Sequence, residues 1–155
     1  MADSKIAIAK TLINEGGYVD NPNDSGGPTK YGITQKDMPG VNIQDITSDQ
    51  ATAYYQEHYW KSLYSEISSQ LVTDKIFDMG VLFGVGEAIK LLQILLGVQV
   101  DCDFGPHTLA CLNQIDPANL LTTYKTALVT YAIGIANDKP QDRVFLNGWI
   151  RRVNS

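Results

Sequence analysis

Histidine and cysteine are scarce in this 155-residue chain: His58 and His107 are its only imidazoles, Cys102 and Cys111 its only thiols. The segment "QEHYW" around His58 is not a zinc-protease helix, so a zinc amidase or peptidase lacks its ligands. Cys102 and His107 share one tight turn, which is poor geometry for a catalytic thiol and its base. One cysteine pair without metal-type spacing builds neither a disulfide scaffold nor a zinc site. Two buried thiols are the simpler expectation, and a Cys102–Cys111 disulfide is the alternative. "DCDFG" echoes a calcium loop but lacks the glycine and the glutamate such a loop needs at its sixth and twelfth positions. No metal or cofactor is therefore expected.

Positive charge is also in short supply. Twelve Lys and Arg face seventeen Asp and Glu, for a formal net charge of -5 and a sequence pI near 4.8. That balance argues against nucleic acid or an anionic lipid surface and favours a neutral or cationic polymer as partner. Long apolar runs are missing too: "LLQILLGVQV" is interrupted by glutamine and falls short of the ~20 residues that span a bilayer, so no stable membrane insertion is expected. "MADSKIAIAK" at the start is charged and is followed by no apolar signal-peptide region, so export by the standard route is not expected.

What the chain does have is helical pattern. Hydrophobic residues make up 44% of it, enough for one compact domain or a domain with a small appended lobe. Ile6, Ala9 and Ile13 share a helical face, with Asp3 or Ser4 as cap and Gly16-Gly17 as stop, so a first helix should end at Glu15. "TSDQ" at 47–50 reads as a capping box opening a helix with Tyr54, Tyr55, Tyr59 and Trp60. Those aromatics are expected mainly in the core. Apolar patterns over 71–82 and 87–96 follow, the second ended by Gly97. Pro106 and Asp116-Pro117 start two more helices, the latter over 118–136, and a last segment carries Phe145, Trp149 and Ile150. The expected fold class is all-α (mainly helical α+β), with a short strand-like excursion near Tyr31–Thr34. A division near residue 65 separates the polar front from nearly continuous apolar helix, giving segments 1–65 and 66–155.

The exception to the helical pattern is "NEGGYVDNPNDSGGPTKYGIT", from Asn14 to Thr34. Cleaving a glycosidic bond takes a carboxylic acid to protonate the leaving oxygen and a second group to handle water or the developing cation. Glu15, anchored at a helix end, suits the acid if its neighbours are apolar; Asp24, in a polar loop, suits an ionised base. On composition alone, a solvated helix end and an Asx-turn aspartate fit these two residues better.

The arrangement weighs against that plainer reading. Eight residues separate Glu15 from Asp24, four more separate Asp24 from Thr29, and "YGIT" follows. The order resembles the Glu, Asp, Thr triad of T-even-type phage lysozymes. "EGGYVDNPNDSGGPTKYGIT" is more closely similar to the hallmark of glycoside hydrolase family 108, muramidases found among phage endolysins and secretion-associated bacterial enzymes. "YYQEHYW" and "FDMGVLFG" resemble later family segments, and "LLQILLGVQVDCDFGPHTL" and "FLNGWIRRV" resemble the predicted peptidoglycan-binding region that usually follows. Two departures stand out: Leu82-Phe83 replaces an Asn-containing "VN.G", and Cys102 stands where a glycine is expected.

The resemblance implies a lysozyme-like catalytic lobe at 1–65, a peptidoglycan-binding lobe at 66–155, and bacterial peptidoglycan as partner. It implies Glu15 as catalytic acid and places Asp24 and Thr29 at matching family positions within the catalytic set; by geometry those two could hold the attacking water opposite Glu15, which gives inversion, whereas carboxyl groups only ~5 Å apart allow a retaining route. Tyr18, Asp20 and Tyr31 flank the cleft as substrate-binding residues, with packing as the competing role for each. A monomer made in the host bacterial cytoplasm, reaching the wall through a holin and acting in the periplasm, is the corresponding cellular expectation, with a secretion-associated role as the alternative. A lytic transglycosylase using the same glutamate, and a noncatalytic wall-binding adaptor, are the rival readings.

Overall fold

The computed structural model describes residues 1–20 and 27–155. Helix α1 spans Ser4–Glu15, its first turn capped by the Asp3 carboxylate, which accepts from the Lys5 amide at 2.8 Å. Gly16, at φ 82°, ends it, a conformation that costs glycine little. Strands β1 (Thr29–Lys30) and β2 (Ile33–Thr34) then pair antiparallel, with Thr29 opposite Thr34 and Lys30 opposite Ile33. The extended excursion expected at Tyr31–Thr34 is therefore a hairpin whose turn falls on Tyr31-Gly32. Both turn residues have positive φ, 54° and 73°, as a two-residue type I′ turn demands.

The remaining described elements are helical. They are α2 (Ser48–His58), α3 (Gln70–Phe83), α4 (Val85–Leu96), α5 (Pro106–Leu112), α6 (Pro117–Asp138) and α7 (Leu146–Asn154), with 3-10 turns at Ile43–Asp45, Ser62–Glu66 and Pro140–Phe145. The capping box at Thr47 and Gln50 forms as expected, and Gly97 ends α4 in the left-handed conformation. Cys102 takes a left-handed φ of 63°, so the turn expected to need glycine keeps its geometry with a side chain on it. The two-buried-thiols expectation fails at Cys102, which is exposed; Cys111 is half-buried, and both thiols are free. Among the described residues no helix is long and apolar enough to cross a membrane.

Two apolar clusters form the interior. One gathers Ile8, Leu12, Ile33, Ile43, Ile46, Ala51, Tyr55 and Phe77 from α1, the hairpin, the 3-10 turn at Ile43–Asp45 and its end, α2 and α3. The other gathers Tyr64, Ile76, Met79, Ile89, Leu92, Leu109, Tyr124 and Leu128 from α3 to α6, with Val153 of α7. Helix α3 serves both, which is why Val72 to Gly80 are buried without a break. Of the aromatic quartet, Tyr55 is buried; Tyr54, Tyr59 and Trp60 are half-buried against the first cluster. Trp60 also packs against the second.

Burying this stretch of α3 has a cost, because it carries Asp74, Lys75 and Asp78. Each has partners, as buried charge requires. Asp74 pairs with Lys10 at 2.5 Å and accepts from Gln70 at 2.6 Å. Lys75 donates to the Arg152 carbonyl at 3.0 Å, and burial lowers its pKa to about 8 despite the nearby Asp78 and Asp74 carboxylates. Asp78 receives Arg152 from α7, and so ties the last helix to the wall on which α1 rests.

Candidate active site

Glu15 is the last residue of α1, where the helical ladder fixes its backbone and Gly16 turns the chain away. Its side chain is only 18% exposed. Oε1 meets Arg152 Nη2 at 2.6 Å. The same guanidinium donates to Asp78 from Nε at 3.2 Å and from Nη2 at 2.9 Å. Asn14 Nδ2 adds a bond to Asp78 Oδ1 at 3.3 Å. Burial alone would lower the Arg152 pKa, but the two carboxylates outweigh it and leave the pKa raised. The apolar surroundings envisaged for Glu15 are thus replaced on one side by a fixed cation.

The other carboxylate oxygen faces the hairpin turn. A Cβ built on Gly32 would collide with Glu15 Oε2 and lie 2.8 Å from the Tyr55 hydroxyl. Gly32 is therefore needed twice, for its positive φ and for the close approach of its backbone to the carboxylate. The Tyr55 hydroxyl donates to the Tyr31 carbonyl at 2.9 Å, so it anchors the turn instead of serving Glu15. Burial, with the Glu15 charge adding to it, pushes the Tyr55 pKa well up and keeps that donor protonated. Burial also raises the Tyr59 pKa, with Asp37 and Glu15 contributing.

The other expected site residues are distributed around this point. Thr29 lies in β1, held on one side by β2 and on the other by Val19, with which it exchanges two backbone hydrogen bonds of 2.8 Å. Its Oγ1 donates weakly to the Val19 carbonyl at 3.4 Å, which leaves the oxygen's lone pairs available to a water. Tyr18 and Asp20 are exposed and touch each other at 3.5 Å. Tyr31 lines a recess of about 440 Å³ with Leu12, Gly16, Gly17 and Thr52. Asp24 lies outside the described residues. Among the described residues no cluster of His, Cys, Asp or Glu could hold a metal ion.

A half-buried carboxylate at a helix end, backed by a hairpin turn and clamped by a remote arginine, is the setting in which the chain's relatives are informative. Residues 8–84 match the family model described as glycosyl hydrolase 108. This segment belongs to glycosyl hydrolase family 108. Residues 87–154 match the model described as a predicted peptidoglycan domain, and the pair makes the chain a peptidoglycan-degrading glycosidase. The structure of Brucella abortus SagA is similar over 97% of this chain and 89% of that one, with a TM-score of 0.79 at 28% sequence identity. The lysozyme-like, mainly helical fold agrees with that neighbour. No curated protein matches the chain.

The family 108 segment supplies Glu15, Gly32, Tyr55 and Asp78; Arg152 comes from the peptidoglycan-domain segment. Sequence reasoning missed Asp78 and Arg152 as site residues. One signal for Asp78 was available, since "TDKIFDMG" sets three charges in an otherwise apolar helical pattern, and such charges must find partners. Nothing in the sequence paired either residue with Glu15.

Proposed function

We propose that this glycosidase is an N-acetylmuramidase, hydrolysing the β-1,4 bond between N-acetylmuramic acid and N-acetylglucosamine with Glu15 as general acid. The observation that carries the reading is the division of labour between the two oxygens of Glu15. Oε1 is held by Arg152, and Oε2, against the Gly32 backbone, is the oxygen that carries the proton to the leaving group. Once Glu15 is protonated, Asp78 still compensates the guanidinium, so the neutral acid leaves no uncompensated buried cation. Asp24 and Thr29 then hold the attacking water on the face opposite Glu15, giving inversion. Tyr18, Asp20 and Tyr31 contact the sugars beside the bond. The cellular role is that of a phage endolysin, a monomer that reaches the periplasmic face of the wall through a holin.

Digestion of purified peptidoglycan, read by mass spectrometry, tests this. The wild type should release reducing N-acetylmuramic ends, and Glu15→Gln should lower the rate by about 10²–10⁴-fold. Asp24→Asn should give a large fall in turnover with the thermal unfolding midpoint retained. Anhydro ends would make the enzyme a lytic transglycosylase, while binding without cleavage would make it an adaptor. Full activity in Glu15→Gln would remove Glu15 from the mechanism.

A further inference from the structure

Beside Glu15, between the end of α1 and α7, lies a recess of about 450 Å³ whose lining includes Asn14, Leu82, Trp149, Arg151, Arg152 and Ser155. It is continuous with the proposed catalytic group, because Arg152 forms part of its wall and bonds Glu15. Trp149 is half-buried and fixed from behind by Phe83, whose ring meets it edge-on at 6.0 Å. Phe83 is braced in turn by Tyr131 at 5.4 Å. Phe145, 56% exposed, lies 6.0 Å from Trp149 at an interplanar angle of 31° and extends the aromatic surface outward. The two residues that depart from the family pattern, Leu82 and Phe83, thus build this wall.

Acidic side chains, which outnumber basic ones in the chain as a whole, are missing from the lining of the recess. The protein carries a net charge of -5, yet no acidic side chain lines this recess and two arginines do. Arg152 is committed to Asp78 and Glu15. Arg151 is exposed and, among the described residues, has no ion-pair or hydrogen-bond partner for its guanidinium. A braced tryptophan offers a face on which the C–H side of a pyranose ring stacks. A free guanidinium beside it presents a planar fork for a carboxylate. The glycan backbone of peptidoglycan is neutral, whereas its stem peptides carry carboxylates.

We propose that this recess is a substrate subsite in which Trp149 takes an aminosugar ring and Arg151 takes a stem-peptide carboxylate, making Arg151 a specificity-determining residue for peptide-bearing glycan. The assignment rests on the muramidase reading for its substrate class. Its position gives it a consequence: the subsite belongs to the last helix, so glycan bound there is registered against Glu15 through Arg152.

The test uses the full chain carrying Glu15→Gln, so that binding is measured without turnover. Sedimentation with intact peptidoglycan is compared with sedimentation with chitin, a β-1,4 polymer of N-acetylglucosamine that carries neither stem peptide nor lactyl carboxylate. The parent should prefer the intact polymer by about tenfold, and adding Arg151→Gln should abolish the preference. Trp149→Ala should weaken binding to both polymers, with Trp149→Phe restoring most of it; the Phe variant and the thermal midpoint separate lost stacking from misfolding. Retained preference in Arg151→Gln, or unweakened binding in a folded Trp149→Ala protein, overturns the subsite. Binding that follows Arg151 on anionic vesicles but not on peptidoglycan also overturns it. Cleavage by the wild-type chain is assayed on the same polymer: its absence counts against the muramidase reading alone, and its presence without any dependence on Trp149 and Arg151 counts against the subsite alone.

Discussion

The hairpin side and the α7 side of Glu15 are built in opposite ways. On the hairpin side the site residues are local: Glu15, Gly32 and Thr29 come from one 21-residue stretch, and backbone geometry does most of the positioning, with Tyr55 anchoring the turn. On the α7 side the partners are distant in sequence, with Asp78 and Arg152 meeting across 74 positions, and charged side chains do the positioning. The difference teaches that a recognisable motif can shape only part of a site. Its glycines give the chain its course, while the electrostatic setting of the carboxylate comes from a helix at the far end of the chain.

The comparison breaks most sharply at Arg152. Replacing it by Ala leaves Asp78, whose side chain is 8% exposed, with Asn14 as its remaining hydrogen-bond partner. A buried charge stripped of its partner costs about 3–5 kcal/mol, and Glu15 loses its anchor at the same time. We expect a large drop in the denaturation midpoint together with loss of peptidoglycan cleavage. Arg152→Lys should recover only part of both, because an ammonium lacks the fork that grips two carboxylates. If Arg152→Ala unfolds and cleaves like the parent, the two sides of the site are energetically independent.

A smaller effect is expected on the hairpin side. Gly32→Ala must accept a positive φ and push Glu15 Oε2 aside. Backbone strain of this kind costs of order 1–3 kcal/mol, and the displacement should lower kcat by more than the stability change explains. Kinetics at a temperature where the variant remains folded would check this. Equal turnover in the two proteins would mean that the hairpin does not set the position of Glu15.

Cys102→Gly should have the smallest effect, and of the opposite sign. Cys102 holds a left-handed φ of 63° on an exposed turn, which favours glycine by roughly 1–2 kcal/mol before the flexibility of the unfolded chain takes part of it back. A gain of about 0.5–1 kcal/mol in urea denaturation is expected. A loss would point instead to a packing role for the side chain, whose Cβ lies 3.8 Å from where a Cβ on Gly86 would stand.

Much of the fold was legible because its signals are local. Asp3, Thr47, Asp116 and Gly97 mark helix ends through hydrogen bonds made within one turn, Pro106 marks one through its fixed φ and missing N–H, and the structure places helix ends at each. Tyr31-Gly32 was less legible: Tyr, Ile and Thr favour extended structure, but the turn forms because Gly32 tolerates positive φ and Tyr55 holds the Tyr31 carbonyl. The exposed position of Cys102 was missed because the usual burial of cysteine is outweighed here by a turn needing a left-handed residue.

By itself, then, the sequence determined the helices, their caps, the hairpin region and the carboxylate at the end of α1, all of which depend on neighbours a few residues away. Only the tertiary structure decided that Arg152 would bridge Glu15 and Asp78, that Leu82 and Phe83 would wall a recess with Trp149, and that α3 would bury its charges between two apolar clusters. The physical reason is that a buried charge must find an opposite charge somewhere, but its own sequence neighbourhood does not specify which one.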